Sequence, residues 1–248
     1  GIDGAVWGCE LLLVDGPRWR RLGHLQTIRL PGGDMAAREA WRPCFAWLNY
    51  ALGDLDEDAL PEHLRNRLVM WPVLLAAMTA GINSPIASSA GRLFDAVSAL
   101  AGLAPLRNEY EAEAAVRLEA AAASGRARPY AFALTDGSPK TLSFGPMIEE
   151  IAAGVRRGVS PSVVSARFHE TLAAAAVETA RAARRDLGLR TVVLGGGVFC
   201  NRRLLGRIEA RLAAAGFTVL RPRRYSPNDE SISVGQTAYA LARLNPAS

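Results

Sequence analysis

Residues 192–201, VVLGGGVFCN, run a short apolar stretch into three consecutive glycines and then into RRLLGRIEARL, whose apolar spacing is helical. Glycine adopts positive φ and lets a ligand come close to the main chain. The helix that follows offers free N–H groups and the positive end of its dipole at the same point. The chemistry this suits is binding of an adenosine or phosphate against Gly196 and Gly197. The amide of Asn201, both donor and acceptor, would face a ribose or base edge. A tight strand-to-helix turn with Asn201 on the first helical turn accounts for the same residues. The stretch is not a P-loop, since no GK[ST] follows, and it is not GxGxxG.

Two further stretches carry candidate chemistry. In RRYSPNDESISVGQ (223–236), Asp229 opens a helix and is either its N-cap or a ligand of a metal or metal-phosphate group, for which a hard carboxylate is suited. In NSPIASSAGRLFDAVSAL (83–100), Gly91 lets a helix start close to another backbone. Asp95 on that helix is either paired with Arg92 or reading ribose hydroxyls, and the sequence slightly favours the ion pair. His24, His63 and His169 are far apart, form neither HxxxH nor HExxH, and read as surface or satisfied core residues. Ser88-Ser89 lacks the GxSxG elbow of a serine hydrolase.

The elements that position these residues follow from pattern and punctuation. Strands are expected at 5–15 and 25–30, with GPRW (17–19 and the preceding glycine) as the turn between them. A helix is expected over 35–52, capped by Asp34 and kinked or shortened by Pro43. Residues 63–81 are apolar and helical with a break at Trp71-Pro72, 82–90 are irregular, and 91–102 and 109–123 are helical. Two short strands, 130–134 and 140–144, flank the TDGSP turn. Gly145–Gly158 forms a helix with Pro146 in its first turn. The longest helix runs over 160–188 from Ser160-Pro161 to Gly188. The remainder reads strand 191–195, helix 200–215, strand 217–221, helix 229–243. This order favours an α/β domain with ligands at glycine-rich strand ends.

The 248 residues, half of them hydrophobic, allow one large domain or two small ones. A formal charge of +5 suits anionic partners such as nucleotides but is modest for a nucleic-acid binder. Three cysteines without CxxC spacing argue against disulfides and a zinc knuckle, and fit a reducing cytoplasm. No apolar run is long enough for a bilayer and no signal peptide is visible, so neither nucleic acid nor membrane is an expected partner. The chain starts in strand-like sequence and reads as a piece of something longer.

Taken together and in order, DGAVWGCELLL, PGGDMAAREAWR, NSPIASSAGRLFDAVSALAGL, YEAEAAVRLE, VVLGGGVFCNRRLL and SPNDESISVGQ resemble the C-terminal transferase domain of the hydrogenase maturation carbamoyltransferases, the HypF family. That domain is similar to the threonylcarbamoyl-tRNA transferases and has the two-lobed, α/β, actin-like ATPase fold. The resemblance implies that 1–248 is a carbamoyl-transfer domain. Residues 1–90 would be the remainder of an incomplete first lobe, and 91–248 mostly the second, nucleotide-binding lobe. It implies ATP or carbamoyl adenylate as the bound nucleotide, with carbamoyl phosphate as the carbamoyl source. A divalent metal ion, upstream domains of the same polypeptide and a HypE-like acceptor are also implied, the carbamoyl group going to the acceptor's C-terminal cysteine for cyanide ligand synthesis. By motif position, Gly196, Gly197 and Asn201 would bind the adenosine, Asp95 its ribose, and Asp229 the metal.

The chain departs from the family pattern at several points. The HxxxH pair and the DGTG turn of the family lie upstream of what matches Gly1. Ala112 stands for a glycine near the ribose, Glu113 for a glutamine, Cys200 for a glutamine, and Glu230-Ser231 for glycines. Two other readings therefore stay open: a truncated or degenerate copy that acts as a non-catalytic binding module, and a small-molecule O-carbamoyltransferase. The family reading places Asp95, Gly196, Asn201 and Asp229 near one another, and their separation onto opposite surfaces would contradict it.

Overall fold

A computed structural model describes residues 1–244, so the last four residues of the expected second lobe, 245–248, lie outside the described residues. Among the described residues, nine strands form three sheets. Strands β1 (Val6–Gly8), β5 (Ile86–Ser89) and β4 (Ile28–Arg29) make the first, with β1 parallel and β4 antiparallel to the central β5. The second is ordered β2 (Glu10–Asp15), β3 (Arg18–Leu25), β7 (Lys140–Ser143), β6 (Ala133–Leu134), with only the β3–β7 pair parallel. The third is the parallel pair β8 (Thr191–Val193) and β9 (Thr218–Leu220). The described residues also form ten α-helices: α1 (Met35–Arg38), α2 (Trp41–Leu52), α3 (Glu62–Arg65), α4 (Trp71–Ala80), α5 (Ala90–Leu100), α6 (Glu113–Ala121), α7 (Gly145–Arg156), α8 (Pro161–Leu187), α9 (Arg202–Ala214) and α10 (Ile232–Leu244).

Helix α5 is the hub. Leu93, Phe94, Val97 and Leu100 are all buried, and the helix packs against α2, α6 and α7. The same continuous core takes in Phe45 and Trp47 of α2, Ile148 and Ile151 of α7, Phe168 of α8, and Ile208 and Leu212 of α9. Edge-on aromatic pairs tie it together, with the Phe94 and Phe168 rings 4.8 Å apart and the Phe45 and Trp71 rings 5.7 Å apart. Such pairs add roughly 1 kcal/mol beyond the area they bury.

Several expectations from the sequence are corrected. Arg18 and Trp19, expected in the turn, open a strand that runs to Leu25: Gly16 and Pro17 turn the chain, and the basic residues of RWRRLGHL ride a hairpin whose outer face is exposed. Residues 5–15 are two strands that separate at Cys9 and join different sheets. The helix expected over 35–52 breaks before Trp41, which puts Pro43 in the first turn of α2, where its missing N–H costs nothing. Asp34 makes no side-chain cap, because its own backbone is already helical at φ −60° and ψ −25°. Residues 86–89, expected to be irregular, form the central strand of the first sheet. The break at Trp71-Pro72 is present, with Pro72 in the first turn of α4, and α8 starts at Pro161 and ends at left-handed Gly188 as read.

Candidate nucleotide-binding site

Strand β8 ends where the N–H of Leu194 donates to the carbonyl of Leu220 at 2.9 Å. The chain then enters the glycine turn. Gly196 takes φ +110°, a conformation that side chains disfavour, and its N–H donates to the carbonyl of Pro227 at 2.7 Å. A Cβ placed on Gly195 or Gly196 would meet no atom within 4 Å, and one on Gly197 would meet only the Cβ of Asn228, at 3.8 Å. The main chain here is bare on one side, which is the room a flat ligand needs. A single 3-10 turn, Gly197–Cys200, leads into α9.

Asn201 caps α9. Its Oδ1 accepts from the N–H of Leu204 at 2.8 Å, and its Nδ2 lies 2.9 Å from Nε2 of His169. Glu119 of α6 adds a second acceptor at the same helix start, taking the N–H of Arg203 at 3.0 Å. A carboxylate there also complements the positive end of the helix dipole. The plain role read for Asn201, a place at the helix start, is thus filled, and half its hydrogen-bonding capacity remains free.

Asp95 is fully buried on α5. Arg92 pairs with it, Nη2 to Oδ2 at 2.8 Å, as the i,i+3 spacing suggested. Neither Oδ1 nor Oδ2 gains a well-aligned hydrogen bond, and the Nε of Arg92 is equally without a partner. Burial pushes the Asp95 carboxyl up to about 6 against the opposing pull of Arg92. Buried polar atoms are normally satisfied, and these carboxylate oxygens are an exception. The N-terminus of α5 is itself capped, by the Oγ of Ser89 accepting from the N–H of Arg92 at 3.3 Å.

Contacts join these parts of the site in two pairs. Phe94, next to Asp95 in sequence, packs edge-on against His169 with ring centroids 5.7 Å apart, and His169 touches Asn201. The bond from Gly196 to Pro227 ties the glycine turn to the segment that carries Asp229. At the start of α6, Ala112 holds φ +61°, the left-handed conformation that a glycine would adopt freely. Its neighbour Glu113 is held by the N–H of Glu109 at 2.7 Å and by Arg117, contacts that lower its pKa against the effect of burial.

Asp229 is exposed at the head of a 3-10 turn, and Asn228 rather than Asp229 is the cap there, accepting from the N–H of Glu230 at 3.2 Å. Among the described residues no three His, Cys, Asp or Glu side chains gather into a cluster that could hold a metal ion. Cys9, Cys44 and Cys200 are all free. Burial pushes the thiols of Cys9, to about 12, and Cys44 upward, which leaves both inert. No described helix is long and apolar enough to cross a membrane. Glu119 and Asn228 escaped the sequence reading, and His169 was read without its bond to Asn201. Asn228 was within reach of cap logic, but the other two act across 32 and 84 residues of sequence, beyond any local signal.

Comparison with known proteins gives the class, a Kae1-like carbamoyltransferase domain. The family model described as "Carbamoyltransferase, Kae1-like Domain, second subdomain" matches residues 1–236. Carbamoyltransferase HypF2 of Cupriavidus necator is 38% identical over 98% of this chain and 32% of its own length. Carbamoyltransferase HypF of Rhizobium leguminosarum bv. viciae is 38% identical over 97% of the chain and 30% of its own length. The crystal structure of full-length HypF in the phosphate- and nucleotide-bound form superposes on the whole chain with a TM-score of 0.91 at 29% identity, covering 32% of that protein. The chain belongs to the HypF carbamoyltransferase family and spans about a third of the length of these relatives.

Proposed function

We propose that residues 1–248 supply the adenosine-binding part of a carbamoyl-transfer site used in hydrogenase maturation. The nucleotide is ATP or carbamoyl adenylate, and Gly196, Gly197 and Asn201 take its adenosine while Asp95 takes its ribose hydroxyls. The observation that carries this reading is the bare glycine turn at the capped start of α9, within a chain that matches the family along residues 1–236. That the solved relative is nucleotide-bound agrees with it.

The reaction transfers the carbamoyl group to a cysteine thiolate at the C-terminus of a HypE-like acceptor. The thiolate attacks the carbamoyl carbon, a C–S bond forms, the C–O bond to the phosphate breaks, and AMP leaves with the negative charge. In this reading the residues of this chain hold the adenosine end of the nucleotide. Upstream domains of the same polypeptide would make the adenylate. A divalent cation at Asp229 fits poorly with these residues alone. Asp229 supplies one exposed carboxylate, so the remaining ligands would have to come from outside the described residues, and no step is derived through the ion.

The test uses the complete reading frame that contains residues 1–248, with labelled carbamoyl phosphate, ATP and two acceptor peptides, one ending in cysteine and one in serine. Label on the cysteine peptide, lost in Asn201→Ala, supports the reading. Label on the serine peptide instead favours an O-carbamoyltransferase, and label on neither favours a binding module.

A further inference from the structure

Residue 169 was read from the sequence as a surface or satisfied core histidine, and its ring is fully buried between Phe94 and Phe168. Its hydrogen bonds, however, fix more than itself. The N–H of Leu204 can only donate, so the atom of Asn201 facing it is Oδ1 and the other is the amide nitrogen. That nitrogen donates, so Nε2 of His169 must be bare and accepting, at 2.9 Å. The ring proton is therefore on Nδ1, which donates to the carbonyl of Ser165 at 2.8 Å. The Oγ of Ser165 is anchored in turn on the carbonyl of Leu118 in α6.

We infer that His169 is the positioning residue of the nucleotide site. From α8 it holds the amide of Asn201 in one orientation, so that the second Nδ2–H and the free lone pair of Oδ1 are presented to the adenosine. The inference rests on the adenosine reading above and adds to it the group that sets the donor and acceptor order. Without the acceptor at Nε2, the amide keeps its cap to Leu204 but its nitrogen is free to swing. The ring also touches α5 through Phe94, so one side chain gives Asp95's helix and Asn201 a common reference. Burial lowers the pKa of His169, with Arg203 on α9 adding to the effect and Glu119 on α6 and Glu170 on α8 opposing it, so the neutral ring this arrangement needs is the favoured one.

The experiment compares His169→Gln and His169→Phe in the complete reading frame that contains residues 1–248. Gln places a carbonyl acceptor where Nε2 stood; Phe keeps the aromatic packing and removes the acceptor. Thermal melts establish that both fold. ATP titration and the side-chain amide resonance of Asn201 are then recorded for the parent and both variants. The expected result is near-parental affinity and a parental Asn201 resonance in His169→Gln. His169→Phe should show a loss of about tenfold, the size of one hydrogen bond, and a displaced resonance. Equal affinity in the two variants, or affinity that merely follows melting temperature, overturns the inference. A parent that binds no ATP overturns the adenosine reading and this inference with it, whereas ATP binding lost in Asn201→Ala but kept in His169→Phe overturns this inference alone.

Discussion

At the scale of single residues, the site is marked by two departures from low-energy chemistry. Asp95 is a buried carboxylate whose only charge partner among the described residues is Arg92, and its pKa rises to about 6. Because the folded value lies above the unfolded one, the cost is absent below about pH 4 and complete above about pH 6. It amounts to on the order of 3 kcal/mol, moderated by the pair with Arg92. Asp95→Asn is therefore expected to melt higher than the parent at pH 7.5 and to lose most of that advantage at pH 4.5, while binding nucleotide more weakly. His169, whose pKa is lowered, loses stability as pH falls below about 6.5. That contribution is common to parent and variant and cancels in the comparison. Ala112 is the second departure: its φ of +61° costs an L-residue roughly 1 kcal/mol that glycine avoids. Thermal melts of Ala112→Gly should show a gain of about that size. The glycine turn was legible in the sequence because φ and bare backbone are properties of glycine itself. The neutral tautomer of His169 was not, since it depends on partners brought in by folding.

At the scale of elements, legibility followed locality. Helix α8 declares itself by Ser160-Pro161 at one end, Gly188 at the other and a helical repeat between them, and its 27 residues form as read. Strand β5 does not. IASS has little β character of its own, and it becomes a central strand only because β1 and β4 pair with its two edges. The break before Trp41 was hidden for a similar reason, since Pro43 is as comfortable in a first turn as it is disruptive in an interior. Helix α9 shows how structure and function share one residue. Asn201 caps the helix and is also the residue proposed to take the adenosine, so Asn201→Ala should lower stability by about 1 kcal/mol from the cap alone. Asn201→Asp keeps an acceptor for Leu204 but cannot donate to Nε2 of His169. It should melt closer to the parent than Asn201→Ala does and still bind nucleotide poorly, as melts and titrations on the same samples would show.

At the scale of the whole molecule, burial is uneven. Helix α5 is almost wholly buried, whereas α10 has no buried residue and leaves Ile232, Leu241 and Leu244 exposed. Val193 and Leu220 expose the outer face of the β8–β9 pair, although parallel strands are ordinarily covered on both faces. Amide exchange in α10 is thus expected to be orders of magnitude faster than in α5, and comparable protection in the two helices would contradict this picture of the packing. The division at residue 90 was an expectation from resemblance, and the continuous core shared by α2, α5, α8 and α9 keeps the elements on either side of it in contact. What the whole molecule brings together is the glycine turn, the capped α9 and the segment of Asp229, with α5 joined to them through His169. The measurement that tests the central claim most directly is calorimetric titration of ATP with Mg²⁺ into this chain and its Asn201→Ala and Asp95→Ala variants. The account predicts binding by the parent that is lost in both variants; binding undiminished in both would place the nucleotide elsewhere and contradict it.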